Sequence, residues 1–231
     1  MPARADLPGA FPHEVLGVVL QVRDQRLCVL LWRRALEPEA GRWALPGGRL
    51  GRDETLDASI ARHLAAKVDL AEVGHLEQLA TRSEPDRFPG ERLVATAYLG
   101  VVASDVQPDL GPDTAWHPVD RLPRLAFDHG ALVRDGRNRL RAKLSYTNLA
   151  FALTPRAFTI SELRQHYEAA LGHDVDPTNL QRVLVRRDVI EPTKELASPG
   201  RSGGRPATRF RFRTRSLVVT DPGAVLRPPS V

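Results

Sequence analysis

The sequence predicts an α/β protein built as two domains, over residues 1–150 and 151–231. Three observations carry that expectation. Aliphatic and β-branched runs alternate with amphipathic stretches through the first part, two capped helices and an alternating strand follow in the second, and the charge divides along the same line. Residues 1–150 hold 20 basic and 20 acidic side chains, whereas residues 151–231 hold 13 and 8, so the net charge of +5 lies wholly in the second part. A basic unit beside a neutral one points to a polyanionic partner, the alternative being a solvated basic surface.

In chain order, residues 15–22 and 27–32 are strand-like runs joined by Arg23-Asp24-Gln25-Arg26, the pattern of a hairpin. The single Cys28 lies in the second run, which excludes an internal disulfide framework and suggests a buried thiol in a reducing, cytoplasmic compartment. Residues 1–12 lack the apolar core of a signal peptide, and no apolar run approaches membrane-spanning length. Over residues 53–68, Leu56, Ile60, Leu64 and Val68 recur every fourth position, one stripe of an amphipathic helix entered through Gly47-Gly48. Asp53 and Glu54 suit its positive end. Extended segments follow at 76–81 and 92–103, separated by a Pro/Gly-punctuated loop at 83–92, and residues 132–150 read as a helix closing the domain.

The second part opens on Thr159-Ile160-Ser161-Glu162, a capping box for a helix with Ile160, Leu163, Tyr167 and Leu171 facing inward and Gly172 at its end. Asp176-Pro177 then gives an N-cap with proline at the first helical position. On that second helix Leu180, Val183 and Leu184 share one side, and Thr178, Asn179, Arg182 and Arg186 form the candidate DNA-reading face. Asn and Arg can bond adenine and guanine edges bidentately in a major groove; a solvated polar face is the alternative. Residues 192–206 have the composition of a wing, with Arg201 and Arg205 among Gly200, Gly203 and Gly204. A guanidinium presented there could enter a narrow minor groove. In the strand that follows, Phe210 and Phe212 should face the core while Arg209, Arg211 and Arg213 project oppositely toward phosphates. Six arginines and no acid lie between 201 and 215.

The first helix carries the chemistry. Gly48, Glu54, Arg62, Leu64 and Leu70 fall at the spacing G-x5-E-x7-R-E-u-x-E-E-x-G-u, with u aliphatic, and Leu45-Pro46-Gly47 precedes them. This resembles a Nudix box, but His63 replaces its first core Glu, Ala66 and Lys67 its Glu pair, and Asp69 its last Gly. In that superfamily the acids hold Mg²⁺ against a pyrophosphate, and Mg²⁺ requires hard oxygen ligands. A methyl group and an ammonium cannot supply them. Losing metal polarisation, worth several kcal/mol, should cost about three orders of magnitude in rate. Arg62 is expected to pair with Glu54 or a backbone carbonyl.

Beyond the box, Glu77-Gln78-Leu79-Ala80-Thr81, Ala97-Tyr98-Leu99 and Leu125-Ala126-Phe127-Asp128-His129 are similar to Nudix segments that bind ADP-ribose. Together with the basic C-terminal part they resemble the Nudix-related transcriptional regulators of NAD metabolism, the NrtR family, over roughly residues 13–213. The resemblance implies an α/β/α sandwich followed by a winged helix-turn-helix domain. It also implies a homodimer that represses NAD biosynthesis or recycling genes at a palindromic operator in double-stranded DNA. ADP-ribose or a related nucleotide would be the effector, bound without cleavage, with no metal and no cofactor required. Candidate ligand residues are Arg34, Trp43, Gly48, Arg82, Arg87, Arg92, Phe127 and His129; Trp43 and Phe127 could equally be core.

Two other readings stay open on the sequence. Glu54 and carboxylates of the 84–91 loop could assemble an unusual metal site in an active Nudix hydrolase with an accessory nucleic-acid-binding domain. Alternatively, the sandwich could serve only to dimerise a DNA-binding protein. The segment 216–231, with Pro222, Pro228 and Pro229, is expected either to lack order or to cross to another subunit.

Overall fold

A computed structural model describes residues 11–70, 72–197 and 206–221. A hairpin of β1 (His13–Arg23) and β2 (Arg26–Arg33) begins the chain, turning through Asp24 and Gln25, both at positive φ. Paired positive φ values match the right-handed twist of the flanking strands. Short strands β3 (Trp43–Ala44) and β4 (Gly47–Arg49) lead into α1 (Leu56–Val68), followed by β5 (His75–Arg82), β6 (Val94–Val102) and β7 (Thr114–Pro118). The sheet runs β3-β2-β1-β6-β5, with β4 also pairing β1 and β7 pairing β2. β1 and β6 pair in parallel, aligning His13 with Val94 through Gln21 with Val102.

Both central strands are buried on both faces, as their unbroken aliphatic runs require. On one side Val15, Val19, Leu30 and Tyr98 meet Ile60, Leu64 and Val68 of α1. On the other, Leu16, Val18 and Leu20 meet Leu132, Val133 and Leu140 of α2 (His129–Tyr146). The sandwich has three layers. Gly136 allows α2 its close approach, since a Cβ there would lie 2.6 Å from Val18 Cγ1.

Helix boundaries depart from expectation in two places. α1 starts at Leu56 because the Thr55 hydroxyl accepts from Ala58 N, leaving Asp53 and Glu54 ahead of the cap rather than in the first turn. α2 spans His129–Tyr146 instead of 132–150; Thr147 is extended, and a separate 3-10 turn occupies Leu149–Ala152. That turn is fully buried and carries one continuous core from the sandwich into the C-terminal module.

The module consists of β8 (Phe158–Thr159), α3 (Ile160–Leu171), α4 (Pro177–Arg186), β9 (Ile190–Leu196) and β10 (Thr208–Phe212), its sheet ordered β8-β10-β9. The capping box at Thr159 and Glu162 forms in both directions, Gly172 ends α3 at φ 76°, and Asp176 caps α4. Residues 198–205, with the expected Arg201 and Arg205, lie outside the described residues, as do 222–231. Up to Asp221 the C-terminal segment follows its own chain: Asn148 Nδ2 donates to Ser216 O, and Val218 N and Thr220 N donate to Asn148 Oδ1 and Tyr146 O. Among the described residues no helix is long and apolar enough to cross a membrane.

Candidate functional site

The box builds one wall of a cleft of 380 Å³ between α1, the β2–β3 loop and the first turn of α2. β4 brings Gly47 against β1, where a Cβ would fall 2.0 Å from Val15 O, so only glycine fits. Gly48 is packed by the buried His63 ring, whose Cε1 would lie 2.6 Å from an added Cβ. His63 Nε2 meets Arg49 O at 3.0 Å, and burial lowers its pKa. His63 therefore locks the turn.

The remaining box carboxylate is committed. Glu54 accepts from Arg62 Nε at 2.9 Å and Gly51 N at 2.5 Å, and these bonds bring its pKa down to about 2. Arg62 thus takes the structural role expected of it, reaching Arg49 O as well at 3.4 Å. Ala66 is exposed. Lys67 Nζ donates to Gly47 O at 2.6 Å and sits 4.1 Å above the Trp32 ring. A Nudix fold implies Mg²⁺, and this donor set does not fit it. An ammonium holds the Gly47 carbonyl, Glu54 is neutralised by Arg62 and Glu14 on the cleft wall by Arg87, while Mg²⁺ takes several oxygen ligands in octahedral geometry.

Arg34, Gly48 and His129, of the expected ligand residues, line this cleft. Arg34 donates to the carbonyls of Pro38 at 3.1 Å and Leu36 at 3.4 Å and covers Phe127 at 4.7 Å. Phe127, at positive φ, is fixed by Glu39 accepting from its N–H at 2.9 Å. His129 opens α2 and is 2% exposed; its Nδ1 accepts from Leu45 N at 3.0 Å, which places the proton on Nε2. Nε2 has no hydrogen-bond partner among the described residues. A buried donor without an acceptor costs about 1–3 kcal/mol. Burial also lowers the pKa of His129, keeping the ring neutral.

The other expected ligand residues lie elsewhere. Arg87 is buried between Glu14 at 2.8 Å and Asp128 at 2.9 Å, and so ties the 83–92 loop to β1 and to the cap of α2. With Arg82, which pairs with Asp135, and Phe127 it borders a separate shallow hollow. Trp43 stacks edge-on against His117 at 4.4 Å, and Arg92 covers Phe11. Sequence reasoning missed Lys67 as a cleft cation, having treated it only as damage to the box. It also missed Trp32, Arg49 and Phe88. Position 67 on the α1 face nearest Gly47 was the available signal.

On α4, Leu180 and Leu184 are buried, while Thr178, Asn179, Arg182 and Arg186 are exposed, and Arg182 bonds Asn179 Oδ1 at 2.6 Å. On β10, Phe210 and Phe212 face the core as expected. The arginines between them are less free than the run without acids suggests. Arg211 pairs with Glu191 at 2.7 Å, Arg213 with Asp188 at 2.8 Å and Glu191 at 3.0 Å, and Arg209 bonds Ala157 O at 3.2 Å. The acids come from β9 and the turn before it, distant in sequence.

A Nudix-type sandwich whose core continues into a winged helix defines a class of protein with a cleft domain and a DNA-binding module in one chain. The NUDIX domain model matches residues 11–136 and the NrtR DNA-binding winged helix domain model residues 150–212. The ADPR responsive transcriptional repressor NtrR of Acinetobacter baylyi is 31% identical over 212 residues, covering 87% of this chain and 83% of the relative. The crystal structure of Shewanella oneidensis NrtR complexed with a 27mer DNA superposes with a TM-score of 0.75 at 29% identity, covering 87% of this chain and 93% of that one. The NUDIX domain of the same protein complexed with ADP ribose gives 0.51 at 33% identity, covering 57% and 90%. The chain belongs to the NrtR family.

Proposed function

We propose that this protein is a transcriptional repressor whose hold on operator DNA responds to ADP-ribose or a closely related nucleotide bound in the α1–α2 cleft. The reading rests on the unpaired Nε2–H of His129, on the cleft wall and at the first residue of α2. A ligand oxygen accepting that proton touches the helix that reaches the DNA-binding module. At 1.5 Å per residue, the 18 residues of α2 span about 27 Å. At its far end Ser145 O accepts from Arg187 at 3.3 Å, directly after α4, and Tyr146 O accepts from Thr220 N at 2.8 Å. Arg187 also pairs with Asp221. The cleft and the recognition helix are therefore joined by one rod.

The protein acts as a homodimer on a palindromic site, its two α4 helices entering major grooves one or more turns apart. Bases are read by Thr178, Asn179, Arg182 and Arg186; Arg201, Arg205, Arg209, Arg211 and Arg213 serve the wing and the phosphates. Nucleotide binding changes the spacing of the helices, by no more than its differential affinity for the two arrangements. Genes of NAD synthesis or recycling are the targets, and the protein works in the cytoplasm. The division of labour falls near residue 150. Hydrolysis is not part of the activity, because Glu54 is held by Arg62 and positions 66 and 67 of α1 carry an alanine and a lysine in place of carboxylates.

Fluorescence anisotropy with labelled operator tests this reading. ADP-ribose added to the full chain should change operator affinity, and NAD or related nucleotides should do so in proportion to their fit. An operator complex indifferent to all of them sinks the sensing role. Turnover of ADP-ribose with Mg²⁺ or Mn²⁺ above about 1 s⁻¹ would favour the hydrolase instead.

A further inference from the structure

The cleft has lost its metal ligands but not its positive charge, and the residue that replaces one of them is held in place. One N–H of Lys67 is fixed by Gly47 O at 2.6 Å, and the ammonium rests on the Trp32 ring at 4.1 Å. Trp32 is itself tethered, donating from Nε1 to Leu45 O at 3.0 Å. Two restraints on a side chain that normally samples many rotamers leave its remaining hydrogen-bonding capacity directed by the fold, and no carboxylate pairs with it among the described residues. Arg34 stands on the same cleft, held by carbonyls rather than acids. Burial first, and Arg34 next, disfavour the charged form of Lys67 while Glu14, on the same cleft and paired with Arg87, favours it; the net effect is a lowered pKa that an arriving anion would relieve.

We infer that the Lys67 ammonium takes the place of a divalent ion in this cleft and binds the diphosphate of the nucleotide directly, so that recognition does not require Mg²⁺. The inference rests on the nucleotide-binding reading above. A lysine on a bound diphosphate is a charge-assisted contact, roughly twice as strong as a neutral hydrogen bond. A Mg²⁺-chelated diphosphate carries its own cation toward Lys67 and Arg34, and should therefore bind less well than the free diester.

Calorimetric titration of the full chain with ADP-ribose, in EDTA and in millimolar MgCl₂, tests this, with inorganic pyrophosphate as a second probe. The wild type should bind equally or better in EDTA. Lys67→Met, which keeps the apolar stem on Trp32, should weaken binding about tenfold or more, and Lys67→Arg should recover most of it. Thermal unfolding of each variant establishes that it is folded; should Lys67→Met not fold, Lys67→Gln takes its place. Binding that appears only with Mg²⁺, or that is as tight in the folded charge-free variant as in the wild type, overturns the inference. If ADP-ribose fails while pyrophosphate binds in EDTA and depends on Lys67, the anion site stands and the nucleotide reading falls. If neither binds under either condition, both fall.

Discussion

The cleft and the wing both gather cations but hold them in opposite ways. In the cleft, Lys67 and Arg34 are positioned by neutral carbonyls, with no carboxylate in an ion pair with either among the described residues, although Glu14 favours the charge of Lys67 from nearby. On the wing, Arg211 and Arg213 are positioned by the carboxylates of Glu191 and Asp188, so theirs is largely cancelled. Helix α4 sides with the cleft: Arg182 bonds only the neutral Asn179 amide, and Arg186 has no ion pair among the described residues. A carbonyl fixes geometry and leaves the field intact, whereas a carboxylate fixes geometry and quenches the field. The first arrangement suits a site waiting for one anion, the second a surface that must exchange an internal partner for an external one.

Arg87 offers the largest test, because it separates cations that bind from cations that hold the fold together. Its side chain is 2% exposed between Glu14 and Asp128. Removing one member of a buried pair strands the others and costs about 3–5 kcal/mol. Arg87→Ala should lower the unfolding free energy by about that much in a urea titration, and loss of ligand binding without loss of stability would return Arg87 to the ligand. The next effect down concerns α4. Arg182→Ala with Arg186→Ala should weaken operator binding by about 2–6 kcal/mol, from about 1–3 kcal/mol per base contact, while calorimetric ADP-ribose affinity stays unchanged. A coupled loss of both would break the separation of the two surfaces.

Much of this was legible in the sequence because the signals are local. The period of four from Leu56 to Val68, the capping box at Thr159 and the alternation at Phe210 and Phe212 depend on neighbours, and the structure realises each of them. Partners distant in sequence were not legible. Arg87 looks like any loop arginine until the fold brings Glu14, 73 residues away, against it. The arginine run on β10 looks unopposed until the β9 register aligns Arg211 with Glu191. Lys67 reads as damage until β4 places the Gly47 carbonyl beneath its ammonium.

Acid offers a smaller effect of defined sign. His13, His63, His117, His129 and His166 all have lowered pKa values, with burial the principal cause. The unfolded chain binds these protons near about pH 6.5, and the folded chain only at lower pH. Between the two the unfolded state carries more protons, so stability falls as pH drops below about 6.5. Four of the five lie in the sandwich, and His166 meets Ser104 at 2.8 Å on the seam. No histidine occurs on α4, β9 or β10. Thermal midpoints should therefore fall from about pH 7 to about pH 5, and hydrogen exchange should accelerate first in α1 and the start of α2. Uniform loosening, with β10 as early as α1, would show that the two regions do not differ in this respect.

The finest test asks whether the wing's acids restrain its arginines. Glu191 accepts from both Arg211 and Arg213, so Glu191→Gln frees Arg211 and leaves Arg213 to Asp188 alone. Exposed pairs contribute about 0–1 kcal/mol to stability, so the fold should be unaffected. Operator affinity should rise a few-fold, and its dependence on salt should steepen by about one released counterion. Any carboxylate removed from this strand adds one unit of positive charge, and that alone raises affinity for a polyanion. Glu195→Gln controls for it, since Glu195 is exposed on β9 and has no ion pair among the described residues. Only a gain at position 191 exceeding that at 195 assigns the effect to release of Arg211; equal gains would mean that β10 reaches no phosphate and that its ion pairs serve the sheet alone.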